Sequence, residues 1–336
     1  LMKIKKEIFF YYPVLQKGGI LTTLIIYANY LSDKYKIKIF TSCKNKELFK
    51  KFNSHIEIIN INKKKFNNLF IILAIYRFKN KHTIIFSMQN HFLILLINKI
   101  FFNNKIIIRT SSIIPNRKNF LEVSNYKNIT IKKIIIRFYH LASYIITFSK
   151  DNVAYFKSLG MINSSCVYNF FQKETPKLFK KKKILDIFFI GRFTFEKDPL
   201  FFLENLIAIP KINIHLVGDG SLLKKLKILS SNEKNVFFHK YTESPIKFFK
   251  NKIDLLCITS KYEGTPNIMG EAMSCSIPVL APAEIGLTKL FLKNGQLGYL
   301  YKLNSPSSFK DKVMQVIENH SVAVKKQESS QKYKSF

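Results

Sequence analysis

Two carboxylates with seven residues between them, Glu263 and Glu271, bracket the start of a predicted helix. The apolar run at residues 254–259 predicts a buried parallel strand, so the loop that follows it lies at a strand's carboxyl end, where ligands of open α/β sheets bind. Carboxylates accept hydrogen bonds from hydroxyl groups and repel phosphate. The plainer interpretation is that Glu263 is a solvated loop charge and Glu271 a first-turn charge that favours the helix dipole.

The helix start between the two glutamates is a predicted anion site. Thr265 can serve as the N-cap and Pro266 as the first helical residue. The backbone amides of Asn267, Ile268 and Met269 would then point outward with the positive end of the helix dipole. Amides that can bind phosphate would therefore lie beside carboxylates that can bind hydroxyls. This combination indicates a ligand with both a phosphate and a polyol part, as in a nucleotide sugar.

Three motifs follow one another in the second half of the sequence. They are Phe-Ile-Gly-Arg-Phe at 189–193 with Glu-Lys-Asp-Pro at 196–199, Leu-Val-Gly-Asp-Gly at 216–220, and Glu-Gly-Thr-Pro-Asn-Ile-Met-Gly-Glu-Ala-Met at 263–273. In this order they resemble the retaining glycosyltransferases of family four, and the resemblance covers residues 185–303. It implies an α/β chain with the GT-B fold, in which two Rossmann-like doubly wound parallel-sheet domains face each other across a cleft.

The resemblance also implies an activity: transfer of a sugar from a nucleoside-diphosphate sugar, with a UDP-sugar expected, and with retention of anomeric configuration. The enzyme would be a hexosyltransferase that needs no metal, since no Asp-x-Asp motif occurs, and the nucleotide sugar would be a co-substrate rather than a cofactor. The net charge and the aliphatic helices suggest a lipid-linked or cell-envelope glycan as the acceptor.

The resemblance assigns a role to each donor-site residue. Arg192 and Lys197 would bind the diphosphate and take up the charge that develops on it, although they could also be two more cations in a very basic chain. Glu271 would hold the ribose hydroxyls and Glu263 the hydroxyls of the transferred sugar, with the leaving phosphate as the base. The other expected donor contacts are Gly191, Gly264, Thr265, Pro266, Asn267, Ile268 and Met269.

Three positions depart from the family's pattern. Ser276 stands where relatives commonly have glycine, Lys289 where many have a glutamate, and Arg109 near a position where many have a histidine. Ser276 would alter a turn, and Lys289 would change donor preference or mark reduced activity. A catalytically silent GT-B relative that acts as a partner subunit is therefore an alternative function.

The chain is strongly basic, with a formal charge of +34, and 47% of its 336 residues are hydrophobic. That charge suits phosphate-rich ligands, an anionic membrane or nucleic acid, but abundant Lys, Ile, Asn and Phe could also reflect a biased coding composition. A polyanion- or nucleic-acid-binding protein is a further alternative. The basic residues are spread along the chain and form no recognition motif, so no nucleic-acid partner is expected.

Short strands and helices alternate through the first half, which predicts a parallel sheet covered on both faces. The first strand, at 7–12, runs into a loop with Gly18 and Gly19 before a helix. A glycine pair at this point lets backbone approach a phosphate closely, and in the resembled family a similar loop faces the donor. A simple tight turn is the alternative.

Polar residues follow two later strands. His91 could contact acceptor or donor, and Arg109 could clamp an acceptor phosphate, because a guanidinium grips phosphate through two hydrogen bonds. The plainer account makes Asn90 or His91 a helix-start residue and Arg109 a surface charge.

The elements predict an acceptor-side domain at 1–172, a basic linker at 173–184 that contains Pro176, and a nucleotide-sugar-binding domain at 185–305. A helix at 306–320 would pack back on the N-terminal domain, and a disordered tail would follow at 321–336.

Four scattered cysteines, with no spacing for a metal or disulfides and no apparent signal sequence, predict reduced thiols in a cytoplasmic protein. The apolar runs are too short for a membrane span. Residues 62–81 and 131–138 mix cations with apolar residues and could lie on the inner face of the cytoplasmic membrane. The alternative is ordinary amphipathic helices packed on the sheet with charged outer faces.

Overall fold

The computed structural model describes residues 6–15, 18–61, 67–80, 82–110, 135–169, 171, 174–177, 182–242, 244–263 and 266–328. The chain divides into two compact units, Leu1–Tyr168 and Asn169–Phe336. Each unit is built on one parallel sheet with helices on its faces.

The first unit holds a seven-stranded parallel sheet with the strand order β3-β2-β1-β4-β5-β6-β7. The strands are β1 (Glu7–Tyr12), β2 (Lys36–Thr41), β3 (Glu57–Asn60), β4 (Thr83–Ser87), β5 (Ile106–Arg109), β6 (Tyr144–Thr147) and β7 (Ser164–Cys166). The helices are α1 (Gly19–Ser32), α2 (Asn67–Phe78), α3 (His91–Phe101) and α4 (Lys150–Ser158). Short 3-10 helices span Lys46–Lys51 and Phe138–Leu141.

Strand β1 shows why the apolar runs of the sequence form central strands. Its side chains alternate between two cores, with Phe9 and Tyr11 in one and Ile8, Phe10 and Tyr12 in the other. A strand buried on both faces needs apolar residues at every position, and this is the pattern that predicted it. The alternation of strands and helices in the sequence therefore gives the doubly wound sheet that it predicted.

The second unit holds a six-stranded parallel sheet with the strand order β10-β9-β8-β11-β12-β13. The strands are β8 (Leu185–Ile190), β9 (Ile212–Val217), β10 (Val236–His239), β11 (Leu255–Cys257), β12 (Val279–Pro282) and β13 (Tyr299–Tyr301). The helices are α5 (Pro199–Leu206), α6 (Leu223–Leu229), α7 (Pro245–Phe249), α8 (Asn267–Ser274), α9 (Thr288–Phe291), α10 (Pro306–Glu318) and α11 (His320–Glu328). A 3-10 helix spans Lys293–Gly295. The order reverses between β8 and β11, and crevices for ligands form at the carboxyl ends of strands at such switch points.

Buried ion pairs fasten part of the predicted linker to the second sheet. Lys177 and Lys182 each contact the fully buried Asp254, at 2.6 Å and 2.8 Å, and Lys182 also contacts Asp186 at 2.8 Å. A buried carboxylate requires such partners because its desolvation is costly. The linker is therefore held against the second unit at these two lysines.

The C-terminal region differs from its prediction. Residues predicted as the start of a disordered tail form α11, in which Ala323 and Val324 are buried. Burial of these small apolar side chains stabilises the helix, although the composition of the segment is otherwise polar. Helix α10 packs on α5 and β13 of its own unit through Phe309 and Val313. Its predicted packing on the first domain stays a prediction.

The two stretches that could lie on a membrane differ in structure. Of residues 131–138, the first four lie outside the described ranges, Ile136 packs into the core, and the Phe138 ring packs edge-on against Phe92 with ring centroids 4.8 Å apart. The ordinary-packing alternative is therefore correct for the described part of this stretch. Of residues 62–81, Asn67–Phe78 form α2, and residues 62–66 and 81 lie outside the described ranges. Within those ranges, no helix has both the length and the hydropathy that a bilayer crossing requires.

Candidate functional site

The three sequence motifs of the second unit meet at the carboxyl ends of β8, β9 and β11. The Gly191 amide donates to the Val217 carbonyl over 3.0 Å, and the Phe193 amide donates to the Asp219 carbonyl over 2.8 Å. The Lys261 amide donates to the Glu196 carbonyl over 2.9 Å. Backbone hydrogen bonds thus join three loops that lie far apart in sequence.

Glycine is required in the second loop because it touches the first. A Cβ at Gly218 would stand 1.9 Å from the Gly191 carbonyl oxygen, and one at Gly220 would stand 2.5 Å from the Phe193 carbonyl oxygen. Both glycines have positive φ, 150° and 153°. The Gly-Asp-Gly motif is therefore explained by close packing of two loops.

Lys197 and Glu263, from the first and third loops, form an ion pair between Lys197 Nζ and Glu263 Oε1. The same carboxylate oxygen accepts a hydrogen bond from Ser260 Oγ over 3.0 Å. The side chains of Lys197 and Glu263 are 24% and 15% exposed, so solvent screens the pair only partly. The structure thus brings together two of the three predicted catalytic residues.

Arg192, the third predicted catalytic residue, lies at the surface of the same site. Its Nη2 contacts Glu196 Oε1 at 3.0 Å, and its side chain is 71% exposed. Burial raises the pKa of the Tyr262 hydroxyl, Glu196 and Glu263 raise it further, and Arg192 lowers it. Tyr262 therefore lies within the electrostatic reach of both acids and of Arg192.

Helix α8 begins one residue later than predicted. Pro266 has an extended conformation and caps the helix without a side-chain hydrogen bond, and Asn267 is the first helical residue. The Met269 amide donates to the Pro266 carbonyl over 2.9 Å, so the prediction that this amide points outward is wrong. Asn267 Oδ1 accepts a hydrogen bond from Asn169 Nδ2 over 2.6 Å. The proposed N-cap Thr265 and its neighbour Gly264 lie outside the described residues.

Glu271 is the largely buried acid of this helix. Burial raises its carboxyl pKa from 4.5 to about 7, and the charge of Lys247 opposes the rise. The group therefore changes its charge near neutral pH.

One residue earlier, a Cβ at Gly270 would stand 2.3 Å from the Phe171 ring, so the absence of a side chain lets Phe171 pack against the helix.

In the first unit, α1 begins at Gly19, and Gly18 is the residue that precedes the helix. Gly18 has φ 150°, and no atom of the other described residues lies within 4 Å of the position that a Cβ would take. These residues therefore leave space beside this turn. Both glycines are exposed, as the phosphate-loop hypothesis and the tight-turn alternative each require.

His91 and Arg109 are both buried at the carboxyl edge of this sheet. His91 is the first residue of α3, as the plainer account predicted, and its Nδ1 lies 2.8 Å from Ser87 Oγ. Burial lowers its pKa to about 4, so the imidazole is neutral. Arg109 Nε donates to the Tyr27 hydroxyl over 3.2 Å, and Arg109 is only 3% exposed. The interpretation of Arg109 as a surface charge is therefore wrong.

Comparison with known proteins decides the family. Residues 170–334 match the family described as glycosyl transferases group 1. This half of the chain belongs to that family. An uncharacterized glycosyltransferase of Methanocaldococcus jannaschii is 29% identical over 56% of the chain and 51% of its own length. The poly(ribitol-phosphate) alpha-N-acetylglucosaminyltransferase of Staphylococcus aureus is 32% identical over 33% of the chain and 23% of its own length.

The whole described fold is that of solved glycosyltransferases. A crystal structure of Anabaena HepE in complex with UDP and glucose matches 97% of this chain and 95% of its own, with 17% identity and a TM-score of 0.79. The fold of this chain is accordingly GT-B, as predicted from its motifs. The chain spans about half the length, or less, of the two curated relatives named above.

Among the residues that the structure describes, no group of three or more His, Cys, Asp or Glu side chains is arranged to hold a metal ion. The expectation that no metal is needed stays a prediction. Sequence reasoning missed Ser260, Tyr262 and Phe171 as site residues. Ser260 hydrogen-bonds to Glu263, the charges of Arg192 and Glu263 act on Tyr262, and Phe171 packs against α8. A hydroxyl three residues before a loop glutamate is a weak signal that could have indicated Ser260.

Proposed function

We propose that this chain is a retaining hexosyltransferase that moves a sugar from a UDP-sugar to a lipid-linked or cell-envelope glycan. The observation that carries the proposal is the ion pair of Lys197 with Glu263 at the switch point of the second sheet. One cation and one carboxylate lie in contact where a ligand would meet the strand ends. This arrangement suits a ligand in which phosphate and hydroxyl groups are adjacent.

The reaction breaks the bond between the anomeric carbon and the β-phosphate oxygen, and the bonding electrons leave with UDP. The acceptor hydroxyl oxygen forms the new bond on the same face of the sugar, and its proton passes to the leaving phosphate. Negative charge on the phosphate would be stabilised by Lys197 and Arg192. Glu263 would orient the hydroxyls of the sugar, and Glu271 those of the ribose.

Lys197 must exchange its partner during this reaction. In the structure its charge is satisfied by Glu263, whereas in the proposed complex it faces the diphosphate. The flexible side chain can reach both groups, and a carboxylate released from Lys197 accepts sugar hydroxyls more readily. Arg192 is exposed enough to fold over a bound phosphate without disturbing the core.

The acceptor side of the proposal rests on the first unit. Arg109 is a buried cation at the carboxyl edge of that sheet and would bind an acceptor phosphate. Neutral His91 would contact acceptor or donor through hydrogen bonds rather than charge. The relative from Staphylococcus aureus carries a name that includes poly(ribitol-phosphate), which supports a phosphate-containing envelope glycan as acceptor. We place the reaction in the cytoplasm, at the inner face of the membrane.

Donor hydrolysis and transfer test the proposal. Purified protein is incubated with a panel of UDP-sugars and a polyprenyl-linked or glycan acceptor, and released UDP is measured. Release of UDP that is abolished in Glu263→Ala and Arg192→Ala supports the proposal, and the anomeric coupling constant of the product reports retention. Binding of UDP without hydrolysis or transfer of any sugar would instead indicate a silent partner subunit.

A further inference from the structure

Helix α8 carries several of the proposed donor contacts, and Asn169 contacts its first residue. Asn169 Nδ2 donates to Asn267 Oδ1 over 2.6 Å. Asn169 is only 9% exposed, and it is the first residue of the second unit, to which α8 also belongs. The hydrogen bond therefore joins the start of this unit to a helix that begins 98 residues later in the sequence.

The segment that follows Asn169 packs along the same helix. The Phe171 ring lies against Gly270, where a Cβ would stand 2.3 Å from it. The Lys177 amide donates to the carbonyl of Cys275, the residue after the helix, over 2.8 Å. The segment therefore contacts α8 at its start, in its middle and just beyond its end, which holds Asn169 at a fixed place beside the helix.

The direction of the hydrogen bond decides how the Asn267 carboxamide is turned. A carboxamide has an acceptor oxygen on one side and a donor NH2 group on the other, and exchanging the two hardly changes its shape. Hydrogen bonds therefore select between the two orientations. Because Asn267 Oδ1 accepts from Asn169, the NH2 group of Asn267 lies on the side away from Asn169.

An N–H donor is what this end of α8 needs in order to bind phosphate. Asn267 is the first residue of the helix, at the end where the helix dipole attracts anions. The Met269 amide at the same end is already bonded to the Pro266 carbonyl. A side-chain N–H at Asn267 would add a donor for a phosphate oxygen, whereas a side-chain oxygen in its place would repel the phosphate.

We infer that Asn169 is a positioning residue, which turns the Asn267 carboxamide so that its N–H side meets the diphosphate of the donor. This inference rests on the proposed function, because it takes the UDP part of that donor as the ligand of α8. Asn169 does not itself touch the donor, and its effect passes through Asn267. Sugar transfer requires that the diphosphate be bound, and Asn169 adds to it a residue that the sequence motifs did not indicate.

Calorimetric titration of the full chain with UDP tests the inference through two variants of one residue. Asn169→Asp keeps the size of the side chain but can only accept, so Asn267 must turn its NH2 group to the new carboxylate and its oxygen to the phosphate. We expect the dissociation constant of UDP to rise about 30-fold, which is about 2 kcal/mol. Asn169→Ala removes the selection without reversing it, and should raise the constant only about threefold.

Two controls separate positioning from charge. Asn235→Asp changes the net charge equally and also removes a side-chain hydrogen bond, from Asn235 Nδ2 to the Ile212 carbonyl at the amino edge of the sheet, so it should change the constant less than about twofold. In the Asn267→Ala background, both Asn169 variants should change it less than about twofold, because a residue that acts only through Asn267 has no effect without it. Circular dichroism establishes that each variant is folded.

Several results would overturn the inference. A loss in Asn169→Ala as large as that in Asn169→Asp would show that the residue only fills space, and a loss that persists in the Asn267→Ala background would show that it does not act through Asn267. If Asn169→Asp does not fold, the Asn169→Ala loss and its disappearance in that background decide. A wild type that binds UDP as tightly as Asn169→Asp contradicts only this inference, and one that binds no UDP contradicts the proposed function as well.

Discussion

Lys197 and Glu263 contact each other directly, although the sequence assigned them to different parts of the donor. Glu263 Oε1 accepts from both Lys197 Nζ and Ser260 Oγ, so one carboxylate oxygen holds the first and third loops together. In this state the cation proposed for phosphate is neutralised by the acid proposed for sugar. A bound donor must therefore interact with Lys197 and Glu263 more favourably than these two side chains interact with each other.

Replacing Lys197 by Met should lower kcat/KM for donor hydrolysis or transfer about 100-fold. A charge-assisted hydrogen bond to a phosphate that gains charge in the transition state accounts for about 2 to 3 kcal/mol. Steady-state release of UDP measures the effect. The loss should be mainly in kcat, because the interaction strengthens as the phosphate leaves.

Lys261→Met is the matched control for that experiment. Lys261 lies in the same site with a side chain 25% exposed, but its Nζ contacts Asp198 Oδ2 at 2.9 Å. Its removal should change kcat/KM less than threefold. Equal losses in Lys197→Met and Lys261→Met would mean that general positive charge, rather than the position of Lys197, assists the reaction.

Much of the fold was predictable because central strands are buried on both faces. Strand β1 has the predicted bounds, since its nearly continuous apolar run is typical of a strand buried on both faces. Strand β7 was not predicted, because Ser164, Ser165 and Cys166 at the sheet edge carry no apolar pattern. Edge strands need only backbone hydrogen bonds on one side, so sequence patterns indicate them poorly.

The candidate site was predictable as a set of loops but not as a set of contacts. Motif spacing indicated which residues follow β8 and β11, yet the pairing of Lys197 with Glu263 depends on how two strands distant in sequence are ordered. The alternative that made Arg109 a surface charge was wrong. Burial of a guanidinium depends on partners such as Tyr27, which lies on a different element. Tertiary contacts of this kind leave no local signal.

Glu271 should make stability depend on pH. An ordinary glutamate carboxyl has a pKa of 4.5, whereas the pKa of Glu271 is about 7 in the folded chain, so between these values the native state holds a proton that the unfolded state has released. The free energy of unfolding should therefore fall as pH rises from about 4.5 to about 7. Glu271→Gln cannot ionise and should lose this part of the decline, about 1 to 3 kcal/mol.

Urea unfolding of the wild type and Glu271→Gln at pH 4 and at pH 8 measures this difference. The variant should gain stability relative to the wild type at the higher pH. Glu318→Gln, which removes an exposed carboxyl from α10, provides the reference curve. Parallel pH profiles for wild type and Glu271→Gln would show that the carboxyl of Glu271 is hydrated in the folded chain.

Gly218→Ala should destabilise the second unit by about 3 to 5 kcal/mol. The new Cβ would meet the Gly191 carbonyl oxygen at 1.9 Å, so the backbone of one loop must move. Gly18→Ala separates this clash from the cost of positive φ, because Gly18 has the same φ of 150° and no other described residue has an atom within 4 Å of the Cβ position. It should cost about 1 to 2 kcal/mol. Similar losses in chemical denaturation would show that the loops relax around the added methyl group.

Ser276→Gly should raise the free energy of unfolding by about 1 kcal/mol. Ser276 follows the end of α8 with φ 57°, and it and Ile277 donate to the carbonyls of Met273 and Ala272, which is the Schellman arrangement that glycine favours. Its Oγ is buried, and within the described residues it has no hydrogen-bond partner. Glycine would remove both the unfavourable backbone conformation and the buried hydroxyl.

Lys211→Gly tests the backbone contribution alone, because Lys211 is exposed with φ 61°. In urea unfolding it should stabilise less than Ser276→Gly does, and a loss of stability in Ser276→Gly would show that the hydroxyl is bonded in the folded chain.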